Sequence, residues 1–410
     1  MEPLMAGLRY VRILKNANPD SEVWWDGSPA CYGVFKSAMV ERYHELRRLI
    51  DSLLPEPLSD SFSGITGVTT NPRLINTAFL HAHYCWAERN NSWDERLDVT
   101  QRRRNIYSQL VLDAASQLDA MWRDSGKRFG WLSAQVDPFL GEDTSAIVKH
   151  GLELSGLAPN IMIKVPGSQA GYLAIEQLVA QGCSINNTFC FTVSQFAAGL
   201  EAVERGRAKA RRLGVDITQA RYVITFMIGR FGAPEAFDRQ AQALGIGLTA
   251  EDKRWAELAV YDAIQTLLAA TQSPVRLLIA SIKVDGEGQE GEHCWHLERT
   301  GERTTLYTLP APIIEFLLRR ERAGRPVLPA RSLTIPSQVL DKLLRIDYFR
   351  EAYQLGGLEP EAFALHPAFV TAHEYACGAR PELDGFIESL RMALPQRQVP
   401  VLQACAGGRS

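Results

Sequence analysis

Eight short runs rich in β-branched and aromatic residues alternate along this chain with longer stretches of helical periodicity. That alternation restricts the fold more than any other feature. The runs are Glu22–Asp26, Ile65–Thr69, Leu132–Val136, Ile161–Val165, Ser184–Phe191, Tyr222–Ile228, Leu277–Ile282 and Thr305–Thr308. Between them, stretches such as Ala170–Ala180, Val193–Arg205 and Trp255–Ala270 place apolar residues three and four apart, as a helix buried on one side does. A strand-then-helix order predicts a parallel sheet, and strands this apolar predict a sheet covered on both faces. Eight such units close a (β/α)₈ barrel. An open doubly wound sheet would alternate in the same way, but no glycine-rich dinucleotide turn follows the first run.

Three regions exceed what a minimal barrel needs. The helical Phe35–Leu54 and a Pro/Ser-rich turn at Pro55–Ser63 separate the first two strands, and Ala78–Lys127 separates the second from the third. After the eighth strand, Pro310–Gln396 reads as helices divided by Pro/Gly loops. The expected organisation is one α/β barrel with helical additions over residues 1–396, its strands within 22–308 and its C-terminal helices within 310–396, then a flexible tail over 397–410.

The net charge of −3 offers no electrostatic footprint for nucleic acid or an anionic membrane. The basic runs Arg102-Arg103-Arg104 and Arg319-Arg320 read as solvated helix faces. No uncharged apolar run approaches the roughly 18 residues that a membrane helix needs. Charges interrupt every apolar stretch of Met1–Asn18, so no signal peptide is expected. Seven cysteines without paired spacing read as reduced thiols. Together these features predict a cytoplasmic protein. His293 and His296, in a Gly/Glu-rich loop after the seventh strand, read as surface residues rather than metal ligands.

In a barrel, polar residues at the C-terminal ends of strands face the active site. Here they are Asp26, Asn71, Gln135, Lys164, Asn186 with Thr188, Thr225, and Ser281 with Lys283. Lys164 is the sharpest, because it interrupts the apolar run Asn-Ile-Met-Ile-Lys-Val-Pro. Burial in a covered strand lowers a lysine's pKa and frees the neutral amine for nucleophilic attack. A strand-end lysine that reaches solvent or pairs with a carboxylate is the alternative from these residues alone.

The segments around these positions resemble the transaldolase family of Schiff-base aldolases. Gly67-Val68-Thr69-Thr70-Asn71-Pro72 resembles the family's second-strand signature, and Ile163-Lys164-Val165-Pro166 the motif of its Schiff-base lysine. Asn186-Asn187-Thr188 with Phe191 resembles the fifth-strand segment, and Thr225-Phe226 with Gly229-Arg230 the sixth. Ala280-Ser281 and Thr308-Leu309-Pro310 continue the pattern on the last two strands.

The resemblance implies transfer of a dihydroxyacetone unit from a ketose phosphate to an aldose phosphate, without metal or organic cofactor. Lys164 would form the Schiff base, and Asp26 would exchange the C4 hydroxyl proton. Thr188 would position the proton-shuttling water. Asn71, Asn186 and Ser281 would hold the donor's hydroxyls, with Thr225 and Phe226 lining the site and Arg230 binding the phosphate. The partners implied are sugar phosphates, and a homodimer is compatible with the family.

Three positions depart from its usual pattern. Gln135 replaces a glutamate, as it does in related fructose-6-phosphate aldolases, and can orient a catalytic water but not pass its proton. Phe226 matches the transaldolases instead, so the two markers disagree. Thr225 replaces a common serine, and Lys283 stands where many relatives have a second phosphate-binding arginine. These departures leave two alternatives: an aldolase or specialised enzyme acting on a non-standard sugar phosphate, and a non-catalytic sugar-phosphate-binding barrel.

Overall fold

The eight apolar runs pair in chain order and close on themselves. In the computed structural model they are β1 Glu22–Asp26, β2 Ile65–Thr69, β3 Trp131–Gln135, β4 Ile161–Pro166, β5 Ser184–Cys190, β6 Tyr222–Phe226, β7 Arg276–Ile279 and β8 Leu306–Pro310. Every neighbouring pair is parallel, and β8 pairs back onto β1. The structure describes residues 7–56, 63–76, 78, 96–286, 291–329, 332–378 and 380–393. The expected 397–410 tail, most of the Pro55–Ser63 turn and part of Ala78–Lys127 lie outside them.

Strand side chains alternate between two cores, as the period of two requires. Trp24, Trp131, Met162, Val223, Leu278 and Leu306 form one buried cluster inside the barrel. The residue after each (Trp25, Leu132, Ile163, Ile224, Ile279 and Tyr307) belongs to the outer core beneath the helices. Trp24 fills space that Gly67 leaves open: a Cβ there would stand 2.6 Å from the indole ring. This apolar plug makes the barrel a packed core and separates the polar residues of its upper mouth from the Glu22–Arg221 pair at the lower end.

Several boundaries differ from the sequence expectation. The sixth strand ends at Phe226, because the chain enters a short helix, Ile228–Phe231. The seventh ends at Ile279, and Ser281 beyond it adopts φ +60°. Phe35–Leu54 falls into two helices, Tyr32–Arg42 and Arg47–Leu53. A helix not anticipated, Arg9–Ala17, sets Tyr10 edge-on against Tyr307 at 6.1 Å.

The Arg102–Arg104 run is not a solvated face. Arg102 and Arg103 are buried, and Arg103 pairs with Asp384 of the helix Arg380–Ala393. A run of like charge on a long helix must present some members inward when a second helix covers it. Among the described residues, no helix is long and apolar enough to cross a membrane.

Candidate active site

Lys164 lies two residues before Pro166 ends β4, on the inward positions shared with Met162. It is 8% exposed, and its Nζ donates a hydrogen bond of 3.2 Å to the Thr70 carbonyl. Burial holds its pKa below the usual lysine range; the Asp26 charge opposes this shift, and the Arg230 charge adds to it. Asp26 ends β1, and its Oδ1 accepts a 2.9 Å bond from the Thr69 hydroxyl, which also contacts the Thr308 hydroxyl. Burial pushes the Asp26 carboxyl up, against the pull of Lys164, the Thr69 bond and Arg230. The two groups thus lie in one field, where burial moves each towards its neutral form.

Gln135, Lys164 and Asn186 are register neighbours on β3, β4 and β5. The Asn186 amide donates to Ser133 Oγ at 2.8 Å, and its oxygen accepts from Thr225 Oγ1 at 2.6 Å. Asn186 is therefore held in one orientation, and Thr225 is its support. Gln135 is buried and borders a cleft formed with Pro72, Ile75, Tyr107 and His150. Asn71 caps the turn that follows β2, its Oδ1 accepting the Leu74 N–H at 3.0 Å.

Phe226 is not brought to this group. Thr225 points inward, so Phe226 points into the outer core, where its ring lies 6.4 Å from that of Phe231. Met227 stands at the mouth instead, its Sδ 3.9 Å from the hydroxyl of Thr188. The alternation of β6 supplies the reason: Val223 and Thr225 face inward, so Phe226 faces outward and Met227 is the next residue to meet the mouth.

Arg230 lies on the short helix after β6, half-buried, with electrostatic reach to both Lys164 and Asp26. The loop after β7 crosses it closely. A Cβ at Gly229 would stand 1.9 Å from the Ser281 carbonyl and 2.8 Å from Lys283 Cγ. Glycine is thus required for Ser281, Lys283 and Arg230 to share one rim.

Behind that rim sits a network the sequence reading missed. His296, expected at the surface, is fully buried. Its Nδ1 accepts the Lys283 N–H at 3.1 Å, so its own proton sits on Nε2, 2.7 Å from Glu257 Oε2. Glu257 also accepts the Gly232 N–H at 3.1 Å and pairs with Arg254, which pairs in turn with Asp285. One carboxylate therefore ties together the loops after β6 and β7. The available signal was Glu257, a charge inside the apolar run Trp255–Tyr261 and three residues after Arg254. Glu257→Ala leaves the buried His296 imidazole and the Gly232 N–H without an acceptor while Arg254 keeps Asp285, and should cost about 2–4 kcal/mol of stability. Urea unfolding measures this; a loss below about 1 kcal/mol would show the network to be dispensable.

Fold and site together define a class: a single (β/α)₈ barrel with a desolvated amine and a carboxylate in its mouth and cationic groups on its rim. The family model described as transaldolase/fructose-6-phosphate aldolase matches residues 49–315. The chain belongs to that family. A transaldolase of Mycolicibacterium paratuberculosis is 31% identical over 183 residues, 44% of this chain and 48% of the relative. Transaldolases of Mycobacterium ulcerans and Mycobacterium tuberculosis are each 31% identical over 168 residues, 40% of this chain and 45% of theirs. The matched stretch spans about half the length of these curated relatives.

Proposed function

We propose that this chain transfers a dihydroxyacetone unit from a ketose phosphate to an aldose phosphate through a Schiff base on Lys164. The observation that carries the reading is the buried amine of Lys164 at the barrel mouth, electrostatically coupled to the Asp26 carboxylate. The neutral amine adds to the ketose C2 carbonyl, and loss of water leaves an iminium. Asp26 takes the C4 hydroxyl proton as the C3–C4 bond breaks, the aldehyde departs and the electron pair is held as an enamine. The enamine then attacks the acceptor aldehyde, and water releases the new ketose and the lysine.

The remaining roles follow position. Thr188, beside Met227, holds the water of iminium formation and hydrolysis, and Gln135 orients it. Asn186 and Asn71 meet the donor's hydroxyls, and Ser281 its terminal hydroxyl. Thr225 keeps Asn186 in place. Arg230 and Lys283 take the phosphate, with the bidentate fork on Arg230. The compartment proposed is the cytoplasm, where phosphorylated sugars are retained, and a homodimer fits the reading.

Borohydride added with a ketose phosphate donor should fix a three-carbon adduct on Lys164, read by peptide mass. An unmodified Lys164 in the folded protein would sink the proposal. Gln135 favours a second reading, aldol cleavage with the enamine discharged by a proton. The same mixture separates the two: dihydroxyacetone released without an acceptor aldehyde indicates cleavage, and product formed only with an acceptor indicates transfer.

A further inference from the structure

Tyr375 stands between two guanidinium groups that come from opposite sides of the barrel. Its ring centroid lies 4.3 Å from the Arg73 guanidinium carbon and 4.1 Å from that of Arg230. Arg73 follows β2 and Arg230 follows β6, and these strands are four places apart in a ring of eight. Two groups from opposite rims can meet on one ring only if that ring lies over the barrel mouth. Tyr375 projects from the helix Pro367–Cys377 and is 44% exposed. The helix is anchored before it reaches the ring: His373 Nε2 lies 2.9 Å from the Pro138 carbonyl, and Phe369 packs edge-on against Phe189 at 5.6 Å.

This arrangement is held by weak forces at its centre. A cation–π contact at an exposed site contributes about 0.5–1 kcal/mol. A guanidinium forked onto a phosphate makes two charge-assisted hydrogen bonds and is the stronger pairing. The distance is also compatible, since a guanidinium carbon sits about 4 Å from phosphorus once its N–H edge turns toward the phosphate in such a fork. The ring centroid therefore marks a point that a phosphorus atom could occupy with both arginines engaged.

We infer that Arg73 and Arg230 form a two-sided clamp for one phosphoryl group, and that the Tyr375 ring occupies the clamp until that group displaces it. Arg73 thereby becomes a substrate-binding residue, and Tyr375 a competitor that raises the threshold for weakly charged ligands. The inference deepens the proposed function and rests on it for the sugar phosphate as natural ligand. The clamp itself requires only a phosphoryl dianion.

Calorimetric titration of the full chain with inorganic phosphate tests it. Arg73→Met should weaken phosphate binding at least ten-fold. Tyr375→Leu should tighten it about five- to thirty-fold, the equivalent of the two lost cation–π contacts. Arg73→Lys, which keeps the charge and loses the fork, should fall between wild type and Arg73→Met, and it replaces Arg73→Met if that variant does not fold. Wild-type protein that binds no phosphate, Arg73 variants that bind as wild type does, or a Tyr375→Leu variant no tighter than wild type would each overturn the inference.

Borohydride trapping with unphosphorylated dihydroxyacetone separates this outcome from the fate of the Schiff base. Absence of trapping in wild type would count against Lys164 chemistry and leave the phosphate titration standing.

Discussion

Lys164→Met should abolish turnover, by about 10⁴-fold or more, and remove the borohydride adduct while leaving the barrel folded. Methionine fills the volume of the inward lysine stem without an amine to desolvate. The charge balance of the mouth changes in a defined direction. In the native protein burial raises the Asp26 pKa, and Lys164 partly offsets that rise. Without the amine the carboxyl should titrate higher still.

A carboxyl whose folded pKa exceeds its unfolded value binds more protons in the folded state, so stability falls as pH rises through that window. The variant should extend this fall to higher pH. Lys164 itself contributes the opposite slope: its depressed pKa makes native stability rise as pH climbs from the folded value to the ordinary lysine value. That alkaline rise should vanish in the variant. Urea midpoints across pH read both slopes, and turnover above about 1% of wild type would end the assignment of Lys164 as nucleophile.

Much of this site is legible in the sequence because a barrel converts strand ends into neighbours. Lys164 is visible as a charge inside an apolar run, and Asp26, Gln135 and Asn186 as polar residues in or at the end of such runs. Parallel register then brings Gln135, Lys164 and Asn186 side by side. A strand's end is harder to read than its existence. The apolar character of Tyr222–Ile228 continues past the hydrogen-bonded strand into the helix Ile228–Phe231, so composition does not mark where β6 stops.

Contacts between distant elements left still less trace. Glu257 and His296 are 39 residues apart, and nothing local in the sequence pairs them. Arg73 and Tyr375 come from opposite ends of the chain, and a cation–π contact imposes no local periodicity that could reveal it. Arg102 and Arg103 look solvated until the helix Arg380–Ala393 covers them.

Asp26→Asn should separate the two halves of the reaction. The carboxamide is close in shape to the carboxylate, and its oxygen can still accept the Thr69 hydroxyl. Losing the negative charge removes the interaction that holds the Lys164 pKa up, so the amine becomes neutral at lower pH and Schiff-base formation persists. Cleavage of the C3–C4 bond loses its base and should slow by about 10²–10⁴-fold. The iminium of the intact donor then accumulates, and borohydride should trap the whole ketose phosphate on Lys164 instead of its three-carbon fragment. Peptide mass distinguishes the two adducts directly. A three-carbon adduct formed at the wild-type rate would show that another group takes the C4 proton, and Asp26 would then be left with the electrostatic role alone.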